Sequence, residues 1–153
     1  MSAVQLLFTR RRHPGSALIR VTTWSDWSHV DLIDGQSVLG AVAFHGVERE
    51  LLATRLANAS RAEVMTIPCA DAKAVIEAAK SQIGKPYDWL GVFGIGLHRD
   101  WQDPDRWFCS ELVAWAFDVA GQPLFRRDSL RRVTPQHLWM LAPLPSTADA
   151  VAP

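Results

Sequence analysis

Short segments rich in apolar and β-branched residues fill the first half of the chain, and apolar and polar residues alternate in the one at residues 29–33, a pattern typical of strands. They lie at residues 4–8, 17–22, 29–33, 38–44, 47–52 and 63–67. Asp34-Gly35 joins two of them in a tight hairpin turn, and Gly46 provides a further turn or bulge. Because hairpins join antiparallel strands, the pattern predicts an antiparallel sheet.

Apolar residues recur at helical spacing in the second half of the chain. The predicted helices span residues 71–83, about 109 to 120, and about 134 to 141. Asp71 is placed to cap the first, Gly121 ends the second, and Thr134-Pro135 begins the third with proline at its first position. Strands followed by helices predict an α+β fold, an antiparallel sheet packed against a few helices.

Length and composition predict one small domain without a marked electrostatic preference. The domain is expected over residues 1–142, followed by a flexible tail at residues 143–153 that is rich in Ala and Pro. Sixteen basic and sixteen acidic side chains balance, so we expect no nucleic-acid partner. The clusters Arg10-Arg11-Arg12, Arg126-Arg127 and Arg131-Arg132 are interpreted as solvated faces or salt-bridge donors.

Neither a signal peptide nor a membrane-spanning run is visible in the sequence. We therefore expect a cytoplasmic protein without stable membrane insertion, although release by cell lysis or within a phage particle would also fit. The two cysteines are expected to remain unpaired in a reducing compartment.

Cys109 begins the second predicted helix, within Trp-Phe-Cys-Ser-Glu-Leu-Val at residues 107–113. Unpaired N–H groups and the positive end of the helix dipole stabilise negative charge there, so the position favours a nucleophilic thiolate. A buried structural cysteine is the alternative. Cys69 also precedes a helix, and only the motifs around Cys109 separate the two; we assign Cys69 to a strand-to-helix turn and expect Ser110 and Glu111 to cap the helix start.

Two further motifs accompany this cysteine, Ser-His-Val at residues 28–30 and Gly-Lys-Pro-Tyr-Asp-Trp at residues 84–89. With Phe-Cys-Ser-Glu-Leu they resemble the circularly permuted branch of the papain-like NlpC-type amidases and peptidases, which are related to lecithin-retinol acyltransferase-like proteins. Papain-like enzymes usually present the cysteine first, whereas here His29 precedes Cys109. A triad is defined by geometry, so chain order is free to change. The resemblance covers residues 8–142 and implies a permuted papain-like fold.

The resemblance also implies catalytic roles. Cysteine acyl chemistry needs a thiolate, an imidazole and a group that orients the imidazole, and Cys109 and His29 fill the first two roles. His45, near where the family places its third polar residue, is our first choice for the orienting group. Asp31, on the same strand face as His29, stays open. In related amidases the tyrosine equivalent to Tyr87 points at the nucleophile and helps to bind the substrate carbonyl.

The aromatic residues Trp27, Trp89 and Trp107 flank these motifs and are expected to shape an apolar substrate slot. No cofactor is expected, because Gly94-Ile95-Gly96 does not complete a dinucleotide fingerprint. The histidines lack zinc-ligand spacing, so no metal is expected either.

Together these motifs predict a cysteine hydrolase that cleaves an amide or peptide bond through a Cys109 thioester, with His29 as the base. Substrates would be peptides, amides or acyl compounds, with cell-wall peptides as one class, and small members of this kind also resemble prophage proteins. A lipid acyltransferase of the lecithin-retinol type and an inert binding module are the alternatives. An apolar acyl channel beside Cys109 would favour the former, and a His29 remote from Cys109 the latter. The oligomeric state is left open.

Overall fold

The structure, a computed structural model, describes residues 2–97 and 105–141. Its strands form one antiparallel sheet in the order β4-β3-β2-β1-β5. They are β1 (Ser2–Arg10), β2 (His29–Asp34), β3 (Ser37–Val42), β4 (Gly46–Leu51) and β5 (Arg61–Cys69). The helices are α1 (Pro14–Thr23), α2 (Leu52–Ala57), α3 (Ala72–Lys80), α4 (Trp89–Gly96), α5 (Cys109–Val119) and α6 (Pro135–Leu141), with a 3₁₀ helix at Arg127–Arg132. The predicted α+β class is confirmed.

The core lies where α3 and α5 pack on the central strands β1, β2 and β3. Apolar side chains spaced three or four residues apart along α5 turn one face of that helix toward the sheet. They include Leu112, Val113, Ala116 and Phe117, all fully buried. The start of α5 is therefore held firmly against the sheet.

One predicted strand is wrong, because residues 17–22 belong to helix α1. The β-branched residues Ile19 and Val21 favoured a strand, but the helix-start signal at His13-Pro14 decides the local structure. The His13 side chain accepts a hydrogen bond from the N–H of Gly15, and Pro14 occupies the first helical position. The helix ends at Trp24 in the left-handed conformation.

Two short helices, α2 and α4, were not predicted. Helix α4 contains three glycines and no polar face, so it carries no helical periodicity. Among the described residues no helix is long and apolar enough to cross a membrane. The expected tail, residues 143–153, lies outside the described part of the chain.

Candidate active site

The loop that carries Tyr87 is fastened to the segment that leads into α5. Backbone hydrogen bonds run from the N–H of Trp107 to the carbonyl of Pro86 and from the N–H of Asp88 to the carbonyl of Trp107, both 3.0 Å long. Gly46 lets β4 approach this loop closely, because a Cβ there would overlap the Lys85 carbonyl oxygen. These contacts bring the Tyr87 motif beside Cys109.

His29, the first residue of β2, joins the thiol to a carboxylate. Its Nε2 lies 2.7 Å from Oδ1 of Asp31, two residues further along the same strand face. The Cys109 thiol also lies close enough to the imidazole to help raise the pKa of His29. Because Nε2 faces Asp31, Nδ1 is the nitrogen left for the sulfur. The structure therefore brings Cys109, His29 and Asp31 together, with His29 hydrogen-bonded to Asp31.

The charges around His29 favour a protonated imidazole. Burial by itself would lower the pKa of His29, but the charge and hydrogen bond of Asp31, with a smaller contribution from Cys109, raise it to about 9. A cation between a carboxylate and a sulfur is the charge arrangement that an ion-paired thiolate requires.

Arg55, on α2, holds the far side of Asp31. Its Nε lies 3.0 Å from Oδ2 of Asp31, and its NH1 lies 3.0 Å from a carboxylate oxygen of Glu50. Asp31 is fully buried and the Arg55 side chain is only 2% exposed. A buried carboxylate is tolerated only when it is paired. Arg55 therefore compensates the negative charge of Asp31 and holds its side chain in place beside His29. Arg55 was not predicted, because it lies 24 residues from Asp31 in the sequence and no local pattern marks it.

Gly40, on β3, leaves room for the pair of His29 and Asp31. A Cβ at this position would overlap Oδ1 of Asp31 and lie 3.2 Å from Nε2 of His29. The glycine is therefore required for space. This role of Gly40 was not predicted from the sequence.

We expect Gly40→Ala to lower turnover by about 10- to 100-fold, because the added methyl displaces one partner of the hydrogen bond. The imidazole resonances of His29 in NMR spectra should shift with the loss. Ser37→Ala, at the other end of β3, is the control. Wild-type rates and an unshifted His29 spectrum in Gly40→Ala would contradict the proposed crowding.

His45 does not make the contact expected of it. It lies beyond the end of β3, its side chain is 66% exposed, and its Nδ1 lies 3.2 Å from Glu48. Phe44 adopts a left-handed backbone with φ of 70°, so the chain leaves the strand direction before His45. The structure places Asp31 against His29 and His45 against Glu48, which makes Asp31 the better candidate for the orienting group.

Tyr87 lies beside the thiol and is nearly fully buried. Its ring packs edge-on against Trp89 at 5.0 Å and Phe108 at 6.1 Å between centroids. Burial first, and then the negative charges of Cys109 and Asp88, raise the pKa of Tyr87 well above its usual value. The phenol therefore stays protonated and can donate a hydrogen bond to an oxygen that becomes negative.

A groove of about 300 Å³ opens beside His29. Its lining includes Phe44, His45, Tyr87 and Trp89. Of the three tryptophans expected to shape a substrate slot, only Trp89 lines this groove. The other two are buried elsewhere: Trp27 packs against Phe8 and beneath Arg61, and Trp107 packs at a tilt against Trp115.

The remaining candidates have structural contacts. Cys69 ends β5 directly before α3, as assigned, and both cysteines are free. Ser110 is not a cap, because its hydroxyl donates to the Val133 carbonyl at 2.6 Å and ties α5 to the segment before α6. Among the residues that the structure describes, no group of three or more His, Cys, Asp and Glu side chains is placed to hold a metal ion.

Comparison with known proteins identifies a related fold only. No protein-family model matches the chain, and no curated protein matches it. Among solved structures it is similar to the metalloprotein YiiX from Escherichia coli O157:H7, with a TM-score of 0.59 and 22% sequence identity. The match covers 82% of this chain and 69% of the YiiX chain. At this identity the likeness concerns the fold.

Proposed function

We propose that this protein is a cysteine hydrolase that cleaves an amide, peptide or ester bond through a thioester on Cys109. The observation that carries the proposal is the placement of His29 between Asp31, to which it is hydrogen-bonded, and Cys109, which helps to raise its pKa. These three groups supply the nucleophile, the proton carrier and the orienting carboxylate of acyl-transfer catalysis. A protonated Tyr87 beside the sulfur supports the same reading.

In the proposed reaction, the Cys109 thiolate attacks the substrate carbonyl carbon and the carbonyl oxygen becomes negative. The backbone N–H of Cys109, at the N-terminus of α5, and the protonated Tyr87 hydroxyl would donate hydrogen bonds to that oxygen. The imidazolium of His29 then gives its proton to the leaving amine or alcohol, and the thioester forms. Water next attacks the thioester carbonyl while His29 accepts a proton, which releases the acid and restores the thiolate of Cys109 beside the imidazolium of His29.

Access to the two cysteines makes a sharp test of this proposal. Cys109 is fully buried whereas Cys69 is partly exposed, so exposure by itself would favour labelling of Cys69. Faster labelling of Cys109 would therefore report activation by His29.

We expect ester, peptide and lipid probes that carry a thiol-reactive carbonyl to modify Cys109 in preference to Cys69, as read by peptide mass spectrometry. A mass increase equal to the acyl group, removable by hydroxylamine, would identify the thioester. Cys69→Ala should label like the wild type, and Cys109→Ala should not form the thioester. Equal modification of both cysteines, or preference for Cys69, would exclude Cys109 as the nucleophile.

Acyl transfer is the second candidate, supported by the apolar part of the groove lining, although Cys109 itself does not line the groove. Ile19, Val42, Phe44 and Trp89 line the groove beside His29, and such side chains would accept an acyl chain. The two reactions share the thioester and differ in the acceptor. Adding a primary amine or alcohol to the acylated protein separates them, because a hydrolase releases mainly the acid and a transferase mainly the new amide or ester.

The metal named for YiiX is not part of this proposal. Among residues 2–97 and 105–141 no suitable cluster of ligating side chains is found. An inert binding module is disfavoured by the buried pair of His29 and Asp31 beside Cys109, which a binding surface does not require.

A further inference from the structure

A second cavity, of about 490 Å³, lies where β1 ends and α1 begins. Six basic side chains line it: Arg10, Arg11, Arg12, His13, Arg20 and Arg61. The other lining residues are uncharged, and no Asp or Glu is among the described residues around the cavity. Arg11 and His13 also line the groove beside His29, so the two cavities adjoin.

The strand pairing concentrates positive charge at this place. Arg10 on β1 is the direct cross-strand partner of Arg61 on β5. Like charges in such positions repel each other and destabilise a sheet. One residue before Arg10, Thr9 is paired with His29, so the charged pair lies next to the candidate active site.

These arginines differ from most others in the chain. Arg126 and Arg127 form the ion pairs expected of them, with Asp128 and Asp118. Within the described part of the chain, the five arginines of the cavity form no ion pair, and the buried Nε of Arg20 has no hydrogen-bond partner. The first turn of α1, which contributes Pro14 and Ala17 to the lining, adds the partial positive charge of a helix N-terminus.

We propose that this arginine cavity binds the phosphate group of a substrate whose acyl bond lies in the adjoining groove. Guanidinium groups match phosphate oxygens in charge and geometry, and several arginines around one cavity suit a group with more than one negative charge. The substrate class is then a phosphate-bearing ester or amide. This inference rests on the proposed hydrolase for the reaction, but the phosphate site itself is testable without turnover.

Inorganic phosphate is the probe for that test, titrated into Cys109→Ala and followed by calorimetry. We expect Arg11→Gln and Arg61→Gln, each added to Cys109→Ala, to weaken phosphate binding by about 10-fold or more. Arg126→Gln, which removes one positive charge outside the cavity, is the matched control and should bind phosphate like the parent. Since Arg61 packs over the Trp27 ring at 4.7 Å, thermal melting checks its fold, and Arg11→Gln keeps the test valid if Arg61→Gln unfolds. Absence of binding at millimolar phosphate, or equal weakening by Arg126→Gln, would overturn the proposal.

Paired substrates extend the test to turnover. An ester with a phosphate group should be preferred over the same ester with a hydroxyl in its place, and Arg11→Gln should reduce that preference about 10-fold. If neither ester acylates Cys109 while phosphate still binds, the proposed hydrolase is refuted and the phosphate site remains supported. Equal rates with both esters would refute the phosphate assignment and leave the hydrolase.

The same phosphate chemistry occurs in soluble esters and in lipid headgroups. Sedimentation with phosphatidylcholine vesicles, with and without phosphatidic acid, distinguishes them. Binding only to the acidic vesicles, lost in Arg11→Gln, supports the lipid source. Phosphate binding without vesicle binding supports a soluble ester.

Discussion

Replacing His29 with Ala is expected to slow acylation of Cys109 by roughly 10³- to 10⁴-fold, because the thiolate loses its counterion and the leaving group loses its proton donor. The ring lies between the Cys109 thiol and Asp31, so its removal leaves the thiol without the imidazole that links it to the carboxylate. Asp31 keeps its ion pair with Arg55 in this variant, and thermal melting checks that the domain still folds. Stopped-flow acylation with an ester probe measures the rate.

A second readout separates a chemical role from a structural one. At about pH 6 an ordinary thiol is almost entirely protonated, so alkylation of Cys109 by iodoacetamide should fall roughly 100-fold when His29 is lost. His45→Ala is the matched control, because it removes an exposed imidazole that lines the same groove. Unchanged alkylation kinetics in His29→Ala would mean that His29 is not the ion-pair partner of the sulfur.

The elements around Cys109 could be predicted because their signals are local. Apolar spacing and Gly121 delimit α5, Asp71 caps α3 through the N–H of Ala74, and Gly35 with φ of 61° forms the hairpin turn. Each of these depends on a few neighbouring residues. The positions of Cys109 and His29 at the starts of their elements followed from the same signals.

The orienting group depended on where a strand ends, which alternation alone did not reveal. If β3 had continued to residue 44, as the pattern suggested, His45 would have stayed near the sheet. The strand instead ends at Val42, and the left-handed Phe44 carries His45 to the surface. Placing Asp31 beside His29 required only that side chains two residues apart on β2 share a face, which depends on fewer residues.

The contacts of Arg55 and Gly40 with the pair of His29 and Asp31 could be recognised only from the three-dimensional structure. Arg55 reaches Asp31 because α2 follows β4 at the sheet edge, and Gly40 lies opposite the pair of His29 and Asp31 on a neighbouring strand. Neither residue type marks a site by itself. Long-range contacts of this kind are set by strand order, which a single sequence does not specify.

The burial of Asp31 ties the site to the stability of the domain. Its two oxygens are divided between Nε2 of His29 and Nε of Arg55, with no solvent exposure. Loss of one partner leaves a buried charge partly unpaired, which is costly. The groups that position the imidazole therefore also hold β2 to α2.

Asp31→Asn is expected to lower the acylation rate by about 10²- to 10³-fold, whereas His45→Ala should change it less than about 3-fold. Asparagine keeps the shape of Asp31 but removes the charge that raises the pKa of His29 to about 9. The pKa of His29 should therefore fall, which NMR titration of the ring measures directly. The opposite ranking of the two variants would transfer the orienting role to His45.

The pH dependence of stability gives an independent check on the same substitution. Because the pKa of His29 is raised on folding, its contribution to the free energy of unfolding is complete below about pH 6.5 and disappears as the pH rises through about 9. Asp31→Asn removes most of that contribution. The difference in unfolding free energy between wild type and variant should thus be larger at about pH 6 than at about pH 10. A difference that is the same at both pH values would mean that Asp31 stabilises the fold without acting on the charge of His29, and the proposed orientation of the imidazole would then lose its electrostatic basis.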